Sequence, residues 1–168
     1  MNKKYVLRPL LIVAVFAFIF SSCMKDKTAE YEAMEQQQIS DYLEDNPDLT
    51  FTVKESGLYF METQAGTGAL AETHDTAYVI YSGQFLNGNV FDSNTAAGAD
   101  SLIFPVDELW MIPGFDEAIT YMNQGSKAKV LIPSKLAYGP TGYYIIPGWT
   151  PLYYEIHLAK LIPGPGSK

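Results

Sequence analysis

Hydrophobic and polar positions divide the chain into three stretches. The first is an unbroken apolar run from Pro9 to Phe20, preceded by Lys3, Lys4 and Arg8 and followed by Ser21-Ser22-Cys23. In the second, Met24 to about Thr50, Tyr31, Met34, Ile39, Tyr42 and Leu43 recur near helical spacing among many acids. Thr28 followed by a turn of acids suits a helix N-terminus, and Asn46-Pro47 should stop that helix. The third stretch changes period. Thr76 to Tyr81, Lys127 to Ile132 and Leu152 to Leu158 are rich in β-branched and aromatic residues and predict strands. In the last of them Leu152, Tyr154, Ile156 and Leu158 should share the buried face, leaving Tyr153, Glu155 and His157 outward. Asn87-Gly88, between Phe85-Leu86 and Val90-Phe91, predicts a two-residue hairpin. Phe115, Ala118, Ile119 and Met122 predict one short helix, with Asp116 and Glu117 in its first turn and Gly125 just beyond it. The expected fold is α+β, an antiparallel β-sheet wrapped around one short helix, with an N-terminal helical tail. Residues 1–22 form a signal segment, 23–50 an acidic linker with a short helix, and 51–168 the domain.

Composition fits this picture. With 168 residues, 48% of them hydrophobic and 18% charged, the chain can bury a core, and 12 tyrosines and 9 phenylalanines suit strands more than a helical bundle. The basic start, apolar run and small residues have the organisation of an export signal, and the run is too short for a permanent span. Cys23 is the single cysteine. No intramolecular disulfide is possible, and no cysteine-based metal cluster. Its position resembles the lipobox of bacterial lipoproteins, in which the cysteine is acylated, although Phe20 stands where an aliphatic residue is usual. The alternative is a cysteine that merely neighbours a cleavage site. The expectation is a domain tethered to the cell envelope by a lipid anchor at Cys23, at the outer membrane facing the periplasm or the surface.

Loss of Lys3, Lys4 and Arg8 with the signal takes the net charge from −8 to −11. Arg8 is the only arginine, which leaves no guanidinium to grip phosphate or read a base edge and excludes nucleic acid as a partner. The acids of residues 24–50 favour a solvated spacer over a docking helix.

Several chemistries fall away on inspection. Gly66-Thr67-Gly68-Ala69-Leu70-Ala71 matches a dinucleotide fingerprint in spacing, but a strand-like run follows it and it reads as a turn. His74 and His157 are far apart and belong to no zinc motif, so neither metal nor cofactor is expected. There is no nucleophile elbow and no phosphate loop. Asp107-Glu108 and Asp116-Glu117 read as a solvated face and helix-dipole partners.

What remains is an ordered set of short motifs. Tyr78-Val79-Ile80-Tyr81-Ser82-Gly83 and Asn87-Gly88-Asn89-Val90-Phe91-Asp92-Ser93 are followed by Met111-Ile112-Pro113-Gly114-Phe115 and by Gly125-Ser126-Lys127. Then come Ile132-Pro133-Ser134, Leu136-Ala137-Tyr138-Gly139 and Ile145-Ile146-Pro147. From about Glu55 to Pro163 this order resembles the FKBP-type peptidyl-prolyl cis-trans isomerases. The resemblance implies an FKBP-like fold and a site that twists X-Pro bonds without cofactor or metal. Tyr81, Phe91, Asp92, Ile112 and Tyr138 would be catalytic, with the Tyr138 hydroxyl and the Ile112 N–H donating to carbonyls of the bound chain. Leu102, Phe104, Met111, Phe115 and Ile146 would bind substrate.

The implied partners are proline-containing unfolded or nascent exported polypeptides, acted on by a monomer. Phe115 replaces the family's usual tryptophan, and Leu102 stands where phenylalanine is common. The 139–149 loop is one residue shorter than usual, with Gly148 in place of a second proline. Two other readings use the same residues differently. One is a non-catalytic chaperone that holds extended chains in the same groove; the other is a lipoprotein whose Tyr143, Tyr144, Trp149 and Tyr153 stack on a sugar or peptide.

Overall fold

The computed structural model describes residues 27–96 and 98–165. The signal segment and the acylation candidate Cys23 lie outside the described residues. Helix α1 covers residues 27–45. It is followed by β1 (Thr52–Val53), β2 (Tyr59–Gln64), β3 (Thr76–Phe85), β4 (Val90–Ser93), β5 (Leu102–Pro105), α2 (Pro113–Thr120), β6 (Lys127–Ile132) and β7 (Leu152–Ile162), with a 3-10 turn at Ser134–Leu136. The strands form one antiparallel sheet in the order β1-β2-β6-β7-β3-β4, and β5 pairs with β3 beside β4. This is the expected α+β arrangement of a sheet curled around a short helix.

Alternation fixes which side chains meet that helix. Ala77, Val79 and Tyr81 of β3, Ala128, Val130 and Ile132 of β6, and Leu152, Tyr154, Ile156 and Leu158 of β7 point inward. They enclose Phe115, Ala118 and Ile119 of α2 and Met122 just past its end, all fully buried. Pro113 at the start of α2 suits the first helical turn, where its missing N–H costs nothing.

Three local expectations need correction. The hairpin after β3 is not a two-residue turn. The Gly88 N–H donates to the Phe85 carbonyl and the Phe85 N–H to the Asn89 carbonyl, giving a three-residue loop in which only Gly88 has positive φ. Asn87 instead uses its side chain to accept the Asn89 N–H. Asp116 does not face solvent: it is 2% exposed and accepts the N–H groups of Asp107 and Leu109, both at 2.8 Å. Its carboxylate thereby holds a tight loop in which both those residues have positive φ. Tyr153 points to the outer face as expected, yet it is buried.

The cover over Tyr153 is α1, which is not a solvated spacer. Tyr42 packs on Tyr153 with ring centroids 5.9 Å apart, and Leu131, opposite Tyr153 in register, is fully buried. Tyr31 stacks on Trp149 at 5.8 Å, and Ile39 is 1% exposed. Glu35 is also buried, and its carboxylate accepts both the Ser134 N–H and, at 2.7 Å, the Ser134 hydroxyl. A buried carboxylate without such donors would oppose docking; with them it ties the helix to the turn after β6.

If α1 belongs to the folded unit, Ile39→Ala should lower the unfolding free energy by about 2–4 kcal/mol in urea titrations followed by aromatic fluorescence. A loss below ~0.5 kcal/mol, typical of exposed positions, would mean that the helix is free in solution.

Candidate functional site

Strands β3 and β4 bring the first two aromatic motifs side by side, and a single hydrogen bond organises them. The Tyr81 hydroxyl donates to Asp92 Oδ2 at 2.6 Å. The Tyr81 ring packs edge-on against Phe115, with centroids 5.7 Å apart, and lies 6.2 Å from Tyr154. Tyr154 in turn contacts Phe115 at 5.2 Å and Phe91 at 5.7 Å, both edge-on, and Phe91 meets Phe85 at 5.1 Å. Such edge-to-face pairs each add a modest increment beyond burial and hold the rings at set angles.

Room for this layer comes from Gly83. It stands opposite Tyr154 in register, and a Cβ there would lie 2.7 Å from Tyr154 and 2.8 Å from Phe91.

A solvent-open hollow of about 190 Å3 lies beside these rings, lined by Phe91, Asp92, Tyr138, Tyr143, Tyr144, Ile145 and Ile146. Four of the residues expected to be catalytic or substrate-binding therefore converge on one cavity: Phe91, Asp92, Tyr138 and Ile146. Tyr81 reaches it through its bond to Asp92. Phe104 and Phe115 do not line it; both are closed off from solvent, 6.0 Å apart, and back the ring layer from inside. Leu102, Met111 and Ile112 are half-buried against the same core and also stand outside the lining. Ile112 immediately precedes α2, where its carbonyl accepts the N–H groups of Phe115 and Asp116.

The outer wall comes from the loop between the 3-10 turn and β7. Tyr138 stacks on Tyr143 at 5.3 Å, and Tyr143 and Ile146 exchange backbone hydrogen bonds. This loop closes tightly on itself, which explains Gly148: a Cβ there would sit 2.0 Å from the Pro140 carbonyl oxygen. The turn leading into the loop is the one that Glu35 holds through Ser134, whose carbonyl accepts the N–H groups of Ala137 and Gly139.

Sequence reasoning did not assign Tyr154, Gly83 or Tyr143–Ile145 to the site. The inward phase of β7 was a signal for Tyr154, and Gly83 inside a strand was a signal of close approach. At the loop tip, Tyr143 and Tyr144 are singled out only by the reading that stacks them on a sugar or peptide.

Electrostatically the hollow is simple. Burial first, and then the bond to Asp92, pushes the Tyr81 phenol above its ordinary range. Burial followed by the Asp92 charge does the same to Tyr138, and burial is the main cause for Tyr154. All three hydroxyls are thus protonated at neutral pH; the Tyr81 proton is committed to Asp92, and Tyr138 is the one of the three that lines the hollow. Among the described residues no cluster of His, Cys, Asp and Glu could hold a metal. The arrangement can seat a small apolar group against rings and offer a hydroxyl to a carbonyl oxygen.

Comparison with known proteins agrees with this architecture. A family model described as FKBP-type peptidyl-prolyl cis-trans isomerase matches residues 68–159. The FKBP-type 22 kDa peptidyl-prolyl cis-trans isomerase of Escherichia coli (strain K12) is 37% identical over 134 residues, covering 79% of this chain and 63% of the relative. Outer membrane protein MIP of Legionella longbeachae is 43% identical over 108 residues, 63% of this chain and 45% of that protein. The chain thus spans less than two thirds of the length of these curated relatives. The crystal structure of FkpA from Escherichia coli superposes with a TM-score of 0.70 at 27% identity, covering 98% of this chain and 75% of that one. The fold is FKBP-like.

Replacing Asp92 removes a negative charge that disfavours phenolate nearby. Asp92→Asn should therefore lower the ionisation midpoints of Tyr81 and Tyr138, as followed by ultraviolet difference titration against Tyr81→Phe and Tyr138→Phe references. Both should stay above the ordinary tyrosine value of about 10, because burial, the larger cause, persists. Midpoints that stay put or rise would show that Asp92 does not act on these hydroxyls.

Proposed function

Because the chain belongs to the FKBP-type peptidyl-prolyl cis-trans isomerase family, we propose that it accelerates X-Pro isomerisation in exported polypeptides at the hollow beside Asp92. The observation that carries this reading is the convergence of Phe91, Asp92, Tyr138 and Ile146 on one open cavity, with Asp92 held by Tyr81.

The chemistry needs no nucleophile. Amide resonance opposes rotation with a barrier of roughly 18–20 kcal/mol, and X-Pro bonds interconvert over about tens to hundreds of seconds. Rotation breaks that resonance and leaves a less polar, twisted amide. A site that favours the twisted form over the planar one lowers the barrier, and each tenfold in rate requires only about 1.4 kcal/mol of such preference. In this reading the proline ring sits against Phe91 and Ile146, where the apolar wall strips water from the amide. Phe104, Phe115, Met111 and Leu102 support that wall from behind.

The Tyr138 hydroxyl and the Ile112 N–H donate to carbonyl oxygens of the bound chain and hold it while the bond turns. Asp92 transfers no proton. It fixes the Tyr81 ring and keeps the mouth of the hollow polar on one side.

The envelope setting belongs to the same proposal. A relative bears the name Outer membrane protein MIP, and Cys23 follows an apolar run and two serines. Acylation at Cys23 would tether the domain there. Metabolic labelling with radioactive palmitate in a bacterial host should mark the full chain and fail on Cys23→Ser; equal labelling of both would exclude this anchor.

Activity is tested with a protease-coupled or NMR exchange assay on an Ala-Leu-Pro-Phe peptide. The protein should exceed the buffer rate, and Tyr138→Phe should lower kcat/KM by about three- to tenfold, the value of one hydrogen bond. Peptide binding with no excess rate would establish the non-catalytic chaperone instead.

A further inference from the structure

A second and larger groove, about 670 Å3, adjoins the hollow. One wall is the face of α1 that presents Gln38, Asp41, Tyr42 and Asp45; the rest of the lining is mixed, with Phe85, Leu86 and Pro147 apolar and Asn87, Asn89 and Thr150 polar. The two cavities are neighbours. Ile145 lines both, and the Phe85 ring in the groove abuts the Phe91 ring in the hollow at 5.1 Å. A polypeptide whose proline occupied the hollow would leave across Ile145 into this groove.

The groove has a definite chemistry. Asp41 and Asp45 lie one helical turn apart on the same wall, both exposed. Gln37 donates to one oxygen of Asp41 and leaves the other available. No Lys, Arg or His is among the described residues that line the groove. Its size suits a few residues of extended chain. Carboxylates in one groove with Phe85, Leu86 and Pro147 match a long cationic side chain, whose aliphatic stem can lie on those apolar residues while its head reaches the acids. A second copy of this chain, with a formal charge of −8, would be repelled from the same surface.

We propose that this groove is a subsite for the basic flank of the client polypeptide, a Lys or Arg within a few residues of the isomerised proline, bound between Asp41 and Asp45 and the Leu86–Pro147 wall. The proposal rests on the prolyl isomerase reading of the hollow and adds a substrate class to it. Helix α1 then serves as half of the substrate channel as well as a cover for the sheet.

The test compares turnover of the Ala-Leu-Pro-Phe core with versions flanked by short Lys, Ser or Glu segments, at low ionic strength. Wild-type kcat/KM should be about three- to tenfold higher for the Lys-flanked peptide than for the Ser-flanked one, and lowest for Glu. High salt should erase the difference. The double variant Asp41→Asn, Asp45→Asn should abolish the preference while turning over the unflanked core normally. A control pair remote from the groove, Glu62→Gln with Glu72→Gln, should leave the preference intact.

Equal turnover of all flanks, or a control pair as effective as the groove pair, would overturn the subsite while the isomerase reading stands. If no peptide is turned over, the isomerase reading fails separately. Fluorescence anisotropy of the labelled Lys-flanked peptide then decides the groove: binding weakened by the groove variant supports it, and unchanged or absent binding overturns it.

Discussion

A tyrosine hydroxyl held 2.6 Å from a carboxylate is the contact on which the site depends. Tyr81 is an inward residue of the central strand β3, wedged among Phe115 and Tyr154, whereas Asp92 sits at the exposed edge of β4. The bond therefore links the packed interior to the rim of the hollow. An aromatic layer packed on both sides would leave no cavity, and a rim with no tie to the core would have no fixed shape. Gly83 completes the condition by giving up its side chain so that Phe91 and Tyr154 can meet above the strand. The hollow exists because one strand position is empty and its neighbour is anchored.

The N-terminal helix extends the same logic to the outer face. Central strands of a curled sheet have two faces, and α2 covers only the inner one. Tyr42 of α1 packs on Tyr153 of the outer face, Ile39 is buried, and Glu35 fastens the turn from which Tyr138 follows. Tyr31, stacked on Trp149, holds the far end of the 139–149 loop. The helix is thus built into the two segments that bound the outer wall of the hollow, and a chain lacking it would expose Leu131 and Tyr153 to water.

Much of this was legible in the residues. The period-two alternation of β3, β6 and β7 identified three central strands and the phase of their inner faces. The motif order brought together Phe91, Asp92, Tyr138 and Ile146 although they are scattered over more than fifty positions. Position in sequence could not separate a wall from its backing, so Phe104 and Phe115 looked like pocket residues when they support it from inside.

Docking of α1 was hidden because most of its acids do face solvent; only Glu35 and Ile39 are fully buried, Tyr42 and Leu43 are half-buried, and the donors for Glu35 come from Ser134, 99 positions away. Asp116 misled for the same reason, since its partners are backbone N–H groups that no side-chain pattern reveals. The Asn87-Gly88 pair marked the correct bend, but the carbonyl that closes it, and hence the loop type, was settled by the register of β3 and β4.

The central claim, that a prolyl ring enters the hollow between Phe91, Tyr138 and Ile146, is most directly tested by NMR titration of the isotopically labelled protein with an Ala-Leu-Pro-Phe peptide. The account predicts that the amides of Phe91, Asp92, Tyr138 and Ile146 shift together while the peptide's cis and trans proline resonances broaden by exchange. Shifts confined to another surface, or proline resonances that stay sharp at saturating protein, would contradict it.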